Sequence, residues 1–154
     1  LPGHTAGHCA MVEESAGVAF IGDIDLTGFG PYYGDATSDL AQFQRSLQRV
    51  KDIDAKVWVT SHHRGVLMDR TAFLQALALF TAKIDERSER LLGWLRERPH
   101  TLDELAQRRL LYPPGANLPF VESAERRSIG LHLAQLLAQG AVRAREDGLY
   151  EASS

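Results

Sequence analysis

The chain contains 154 residues, 44% of them hydrophobic, and carries a formal net charge of −3. This composition is sufficient to fill the core of one ordinary domain or of two small ones. The charge gives no general attraction to anionic surfaces, so a membrane is not expected as a partner and nucleic acid is disfavoured. Cys9 is the single cysteine, which excludes an internal disulfide, and we expect a cytoplasmic protein.

Short apolar stretches and polar loops alternate through the first part of the chain, and they predict strands followed by helices. The predicted elements, in chain order, are a hairpin with strands at 9–12 and 17–21, a loop at 24–34, a helix capped by Thr37 or Ser38, a buried strand at 56–60, a loop at 61–65 and a long helix capped by Asp69. An apolar stripe along the long helix predicts that one of its faces lies in the core.

The pattern changes at Pro99, which suggests two domains, 1–98 and 99–154. Thr101 and Glu104 form a capping box at the start of a short helix. A second helix is predicted over 124–139, and a hairpin with its turn at 146–148 should follow. The order helix, helix, hairpin predicts a small winged-helix domain.

Three polar clusters each lie beside a predicted strand, where loops can bring side chains to a common edge. They contain His4 and His8, then Asp23, then His62 and His63. Imidazole nitrogens and carboxylate oxygens together suit zinc, and also iron or manganese. A carboxylate can bridge two cations, which lower the pKa of bound water from about 15.7 to about 7 and so generate a hydroxide nucleophile. The clusters predict a site for two divalent cations if the fold brings them together.

The order of the motifs LPGHTAGH, FIGD and SHH resembles that of the metallo-β-lactamase superfamily, and most of all the glyoxalase-II-like hydrolases with a C-terminal winged-helix domain. This resemblance implies an α/β fold, namely the second half of an αββα metallo-β-lactamase sandwich followed by a small winged-helix domain. It implies that His4 is a metal ligand, that Asp23 bridges the two cations, and that the last ligand is His62, with His63 as the alternative. His8 is expected to be a packed or supporting residue.

The family's other motif, His-x-His-x-Asp-His, does not occur in the sequence. The resemblance therefore covers only the second half of the fold, and full binding of two cations, zinc first among them, should require the missing N-terminal half or a second chain. We expect the chain alone to be inactive. Half a sandwich should also expose an apolar sheet face, which predicts pairing with the other half or formation of a homo-oligomer.

The expected function of the parent protein is that of a metal-dependent hydrolase in which a metal-bound hydroxide attacks a thioester or ester carbonyl of a small acyl substrate. Tyr33, with Tyr32 beside it, is a candidate pocket residue, although tyrosines equally often pack a loop onto the core. One alternative is a metal-dependent RNA or phosphodiester hydrolase. Another is a non-catalytic winged-helix module that binds nucleic acid through a set of arginines. That set is Arg126, Arg127, Arg143 and Arg145.

Overall fold

A computed structural model describes residues 1–153 of the chain. The elements are β1 (Met11–Glu13), β2 (Val18–Phe20), α1 (Leu40–Val50), β3 (Val57–Val59), β4 (Val66–Leu67), α2 (Arg70–Glu97), α3 (Leu102–Arg108), α4 (Val121–Ala138), β5 (Val142–Ala144) and β6 (Tyr150–Ala152). The predicted helices and strands are all present. The short strand β4, which directly follows the histidine loop, was not predicted.

The chain forms two compact units, and the division between them falls inside α2. Unit 1 comprises residues 1–33 and 37–84, and unit 2 comprises 34–36 and 85–154. The domain boundary predicted from the sequence lies instead at the end of this helix, after residue 98. That domain assignment, and the description of the second domain as a winged helix, stay predictions. No helix within residues 1–153 combines the length and apolarity needed to cross a membrane.

In unit 1, four strands form a mixed sheet in the order β1-β2-β3-β4. The pair β2-β3 is parallel, and the two outer pairs are antiparallel. Because side chains alternate along a strand, the register divides the sheet into two faces. Ala19, Trp58 and Leu67 are buried on one face, where the Trp58 ring stacks on Phe73 of α2 with centroids 4.4 Å apart. The core of unit 1 lies on this side.

The opposite face of the sheet carries an apolar row that crosses all four strands. The pairing register aligns Met11 with Phe20, Phe20 with Val59, and Val59 with Val66. Met11 is 62% exposed and Val66 is 59% exposed, while the two central residues are half-buried. Within residues 1–153, therefore, one side of the sheet is packed and the other presents apolar side chains to its surroundings.

Helix α1 begins one or two residues later than the sequence predicts. Its N-cap is Asp39, whose side chain accepts a hydrogen bond from the Gln42 N–H at 2.8 Å. Ser38 and Thr37, the predicted caps, bind the N-terminal segment instead: the Ser38 hydroxyl donates to the His4 carbonyl, and Thr37 Oγ1 accepts from the Ala6 N–H. The N-cap prediction is wrong because three consecutive residues can each cap a helix, and the first two form hydrogen bonds with the N-terminal segment instead.

Unit 2 is organised around one apolar cluster and several satisfied polar groups. Leu91, Leu105, Leu133 and Val142 are among the buried residues that connect its helices to β5. The predicted capping box at Thr101 and Glu104 is present, with both hydrogen bonds formed. Antiparallel strands β5 and β6 close the unit as a hairpin, as the sequence predicts.

Candidate metal centre

The first eight residues form a turn that is fastened to α1, and this turn positions His4. The hydrogen bonds that fasten it are Ser38 Oγ to the His4 carbonyl (2.6 Å), the Asp39 N–H to the Gly3 carbonyl (2.9 Å) and Ser46 Oγ to the Pro2 carbonyl (2.6 Å). Gly3 has a φ of +132°, and a Cβ there would lie 2.3 Å from the Phe43 Cα. Only glycine permits this close approach of the turn to the helix.

The His4 ring is oriented by a backbone carbonyl. Its Nδ1 lies 2.9 Å from the Tyr32 carbonyl oxygen, which can only accept, so Nδ1 carries the proton and donates it. The other nitrogen, Nε2, lies 3.3 Å from Asp23 Oδ2. The His4 side chain is 15% exposed. A ring held at Nδ1 by a backbone carbonyl, with its Nε2 left to face other groups of the site, is an arrangement common to metal-binding histidines.

Asp23 lies between two histidines from distant parts of the chain. Its Oδ1 is 3.2 Å from His62 Nε2, while Oδ2 faces His4. The loop that carries His62 is closed by Thr60, whose hydroxyl donates to the His62 carbonyl at 2.7 Å and accepts from the Gly65 N–H at 2.9 Å. His62 itself is 64% exposed. The fold thus brings together all three residues that the resemblance implicates as ligands.

The alternative ligand His63 takes a different orientation from His62. It has a positive φ of +55°, and its ring centroid lies 6.2 Å from that of His62. Of the two histidines, His62 is the one whose Nε2 faces Asp23. The geometry therefore favours His62, and the assignment of either residue as a ligand stays a prediction.

The contact between His4 and Asp23 brings two acceptors together. With Nδ1 of His4 protonated, its Nε2 and the Asp23 oxygen both accept, so contact at this range requires a proton or a metal cation between them. Two ligand atoms of one tetrahedral zinc ion lie about 3.3 Å apart, which is close to the 3.3 and 3.2 Å separations at Asp23. Each histidine faces a different oxygen of the carboxylate, which is the arrangement that a bridging aspartate requires.

The site is nevertheless incomplete within residues 1–153. No group of three or more His, Cys, Asp or Glu side chains there is arranged to hold one metal ion. The donor chemistry of the two pairs fits divalent cations, but each pair supplies only two ligands. Further ligands would have to come from outside the described residues.

His8 contacts the backbone of Asp23. Its Nε2 accepts a hydrogen bond from the Asp23 N–H at 2.9 Å, and its Nδ1 lies 2.7 Å from the Leu1 carbonyl oxygen. Burial lowers the pKa of His8 below its usual value, although the Leu1 carbonyl acts in the opposite direction. Both ring nitrogens are therefore used in hydrogen bonds. The expectation of a packed or supporting residue stays a prediction.

The two neighbouring tyrosines differ in position: one packs in the core and the other contacts His4. Tyr33 is fully buried and packs edge-to-face on Phe43, with ring centroids 6.5 Å apart. This burial favours the packing alternative, and a pocket role for Tyr33 stays a prediction. Tyr32 contributes its carbonyl to His4, and its ring lies 5.8 Å from the His4 ring. Sequence patterns could not reveal this role, because it belongs to the backbone.

The arginines considered for nucleic-acid binding in unit 2 are all engaged within the chain. Arg126 pairs with Asp103, Arg143 with Glu151, and Arg145 with both Asp147 and Glu151. Arg127 donates to the Gly34 carbonyl. Since phosphate binding would have to compete with these contacts, these four arginines, within the described residues 1–153, are not a row of free cations for a nucleic acid.

Solved structures with the same fold belong to metallo-beta-lactamase and beta-lactamase domain proteins. A metallo-beta-lactamase family protein from Thermus thermophilus matches 99% of this chain with 30% identity and a TM-score of 0.76. A beta-lactamase domain protein from Burkholderia ambifaria matches 99% of it with 22% identity and a TM-score of 0.70. No family model and no curated protein matches the chain.

The match covers only part of each solved protein. The chain spans 47% of the Thermus protein and 46% of the Burkholderia protein. Its α/β fold therefore resembles a fragment of a metallo-beta-lactamase fold, as the sequence predicted.

Proposed function

We propose that this chain supplies part of the catalytic centre of a metal-dependent hydrolase, in which His4, Asp23 and His62 bind two divalent cations. Zinc suits these nitrogen and oxygen donors best, with iron and manganese as alternatives. The observation that carries the proposal is the Asp23 carboxylate, whose two oxygens each face one histidine Nε2 at 3.3 and 3.2 Å. The similarity to the Thermus metallo-beta-lactamase family protein supports the same assignment.

The cations, when bound, would supply a hydroxide nucleophile at neutral pH and a Lewis acid for the substrate oxygen. The chain's own residues orient the donors. The Tyr32 carbonyl fixes the His4 tautomer so that Nε2 is free to bind, and Thr60 closes the loop that presents His62. The proposed substrate is a small molecule with a thioester or ester carbonyl, as in the glyoxalase-II-like hydrolases. The pairing of the unit 2 arginines within the chain makes an RNA or phosphodiester substrate, or a non-catalytic winged-helix module, the weaker alternative.

The proposal includes a second body of protein that completes the centre. The apolar row of Met11, Phe20, Val59 and Val66 lies on the sheet face opposite the core, where burial would be favourable. We assign this face to the half of the fold that contains the remaining ligands, from the same protein or from another chain. Pairing of two copies of this chain is the alternative occupant. A cytoplasmic location belongs to the same proposal.

Zinc binding to matched aspartate variants tests the proposal. When the chain is assembled with the remaining half of the fold, Asp23→Asn should lower the affinity for Zn²⁺ by at least about tenfold relative to the unmodified chain, because an amide is a poor bridging ligand. Asp25→Asn is the control, since Asp25 lies in the same loop and binds Thr27. Titration calorimetry with Zn²⁺ measures both. Equal affinities for the unmodified chain and Asp23→Asn would overturn the proposal.

Activity should be measured on the chain assembled with the remaining half of the fold. We expect hydrolysis of a thioester that depends on added Zn²⁺ and is lost in Asp23→Asn. Hydrolysis of RNA with no thioester activity would instead assign the centre to phosphodiesters. If the assembled protein hydrolyses neither the thioester nor RNA, with or without added Zn²⁺, a non-catalytic binding module would be favoured.

A further inference from the structure

His8 makes a hydrogen bond with each ring nitrogen, and the two partners differ in kind. On one side is the Leu1 carbonyl oxygen, 2.7 Å from Nδ1, and on the other is the Asp23 N–H, whose nitrogen is 2.9 Å from Nε2. A backbone N–H can only donate and a carbonyl can only accept. Nε2 is therefore the acceptor and Nδ1 carries the proton, which defines a single neutral tautomer.

His8 lies so close to the backbone at Gly22 that no side chain fits there. Gly22 has a φ of +60°, and a Cβ at this position would lie 2.6 Å from His8 Nε2. Glycine both adopts this left-handed conformation without strain and lets the imidazole approach the chain closely. The sequence Gly22-Asp23 is thus matched to the histidine that it contacts.

The same backbone segment is held from the other side by the sheet. The Gly22 carbonyl accepts a hydrogen bond from the Ser61 N–H at 2.9 Å, and the Ile21 N–H donates to the Val59 carbonyl at 2.8 Å. Residues 21–23 are consequently fixed between the continuation of β3 and the His8 ring. With its backbone held, Asp23 can direct its carboxylate between His4 and His62 at little further cost in conformational entropy.

We propose that His8 is a positioning residue, which in its Nδ1–H tautomer holds the Asp23 backbone and so aims the Asp23 carboxylate at His4 and His62. This inference rests on the proposed function in one respect, namely that Asp23 binds cations. His8 is not a ligand in this scheme, because both of its nitrogens are occupied by the protein. Residues that orient metal ligands in this way commonly change metal affinity by about 10- to 100-fold when they are replaced.

Two amide variants separate the two hydrogen bonds of His8. In His8→Gln the side-chain oxygen can reach the position of Nε2 and still accept from the Asp23 N–H. In His8→Asn the shorter side chain can replace only the Nδ1 donor to Leu1. We expect His8→Gln to keep the Asp23 amide protected from hydrogen exchange and to bind Co²⁺ within about threefold of the unmodified chain. His8→Asn should expose that amide and weaken Co²⁺ binding by about tenfold or more.

The measurements are amide exchange at Asp23, nitrogen NMR of the His8 ring, and Co²⁺ titration followed by its visible absorption. An Nε2–H tautomer in the unmodified chain would overturn the proposal even if neither variant folds. An equal loss of Co²⁺ affinity in His8→Gln and His8→Asn would also overturn the proposal. So would an unchanged Co²⁺ affinity in His8→Asn. Failure of the chain to bind Co²⁺ when it is assembled with the remaining half of the fold would contradict the proposed function, while Asp23 exchange would still decide whether His8 holds this backbone.

Discussion

Each unit of the chain holds a carboxylate with several polar neighbours, and the two carboxylates are satisfied in opposite ways. Glu125 in unit 2 is fully buried and accepts hydrogen bonds from three consecutive backbone N–H groups, those of Leu110, Leu111 and Tyr112. Asp23 in unit 1 is one-third exposed and faces two imidazole nitrogens. Glu125 is surrounded by donors, whereas Asp23 Oδ2 faces the His4 Nε2, which is also an acceptor unless a proton or cation lies between.

This difference separates a structural carboxylate from a candidate functional one. The three N–H groups at Glu125 belong to an irregular segment that has no ladder partner, so the carboxylate takes the place of secondary structure. Glu125 is thus satisfied by the chain itself. The contact between Asp23 and His4 differs, because it becomes favourable only when a proton or cation lies between the two acceptors. A buried, saturated carboxylate should therefore affect stability, and an open, unsaturated one should affect cation binding.

The largest effect on stability is expected from Glu125→Ala. It leaves three N–H groups without an acceptor, one of them buried and two part-buried, which should lower the free energy of unfolding by about 4 kcal/mol. Glu122→Ala is the control on the same helix, since that exposed residue pairs with Arg109 at the surface and its loss should cost less than about 1 kcal/mol. Urea unfolding measures both. Equal losses of stability in the two variants would mean that Glu125 is not a structural carboxylate, and its distinction from Asp23 would be lost.

A smaller loss is expected from Gly3→Ala, which tests the turn that holds His4. The new Cβ would meet the Phe43 backbone at 2.3 Å, so the turn or the helix must shift. We expect a loss of about 3 kcal/mol and weaker Zn²⁺ binding, because His4 moves with the turn. In Gly7→Ala, where a Cβ would have no neighbour within 4 Å, both quantities should hardly change. Chemical denaturation and Zn²⁺ titration of the two variants make the comparison.

The smallest of the three effects concerns pH and the buried His132 in unit 2. Burial, with a smaller contribution from the Arg87 guanidinium, lowers the pKa of His132 to about 3 from 6.5. The folded state then binds fewer protons than the unfolded state, so this contribution is present above pH 6.5 and is lost as the pH falls toward 3. Between about pH 7 and about pH 5 the loss should be about 2 kcal/mol.

His132→Gln isolates this contribution, because the other acidic and basic groups are unchanged. The difference in unfolding free energy between about pH 7 and about pH 5 should be about 2 kcal/mol smaller in the variant. The same difference in both proteins would mean that folding does not lower the pKa of His132. Denaturation curves at the two pH values provide the measurement.

Local features of the sequence predicted most of the fold. The box at Thr101 and Glu104 and the cap at Asp69 act over three residues, and both are present as predicted. Short-range patterns failed where the deciding contact is distant. Ser38 does not cap α1 because its hydroxyl binds His4, which is 34 residues away. Strand β4 has only two residues, too few for an alternating pattern to indicate a strand.

The prediction of the candidate site depended more on the family resemblance than on residue spacing. Spacing alone could not place His62 beside Asp23, because the parallel pairing of β2 and β3 sets that proximity. The Tyr32 carbonyl could not be predicted, since every residue has one. The hydrogen bonds of His8 were also hidden, although the Gly22-Asp23 sequence gave one signal in retrospect: a glycine before the aspartate permits the close approach of a ring.

The attachment of the N-terminal turn to α1 has a consequence for the order of folding. Its hydrogen bonds join residues 34 and 44 positions apart, and the contact between Asp23 and His62 spans 39 positions. Contacts of such long sequence separation form late, after the loops between them have closed. His4, Asp23 and His62 should therefore come together among the last events of folding. A short synthetic peptide containing LPGHTAGH would not reproduce the affinity of the intact chain for a cation.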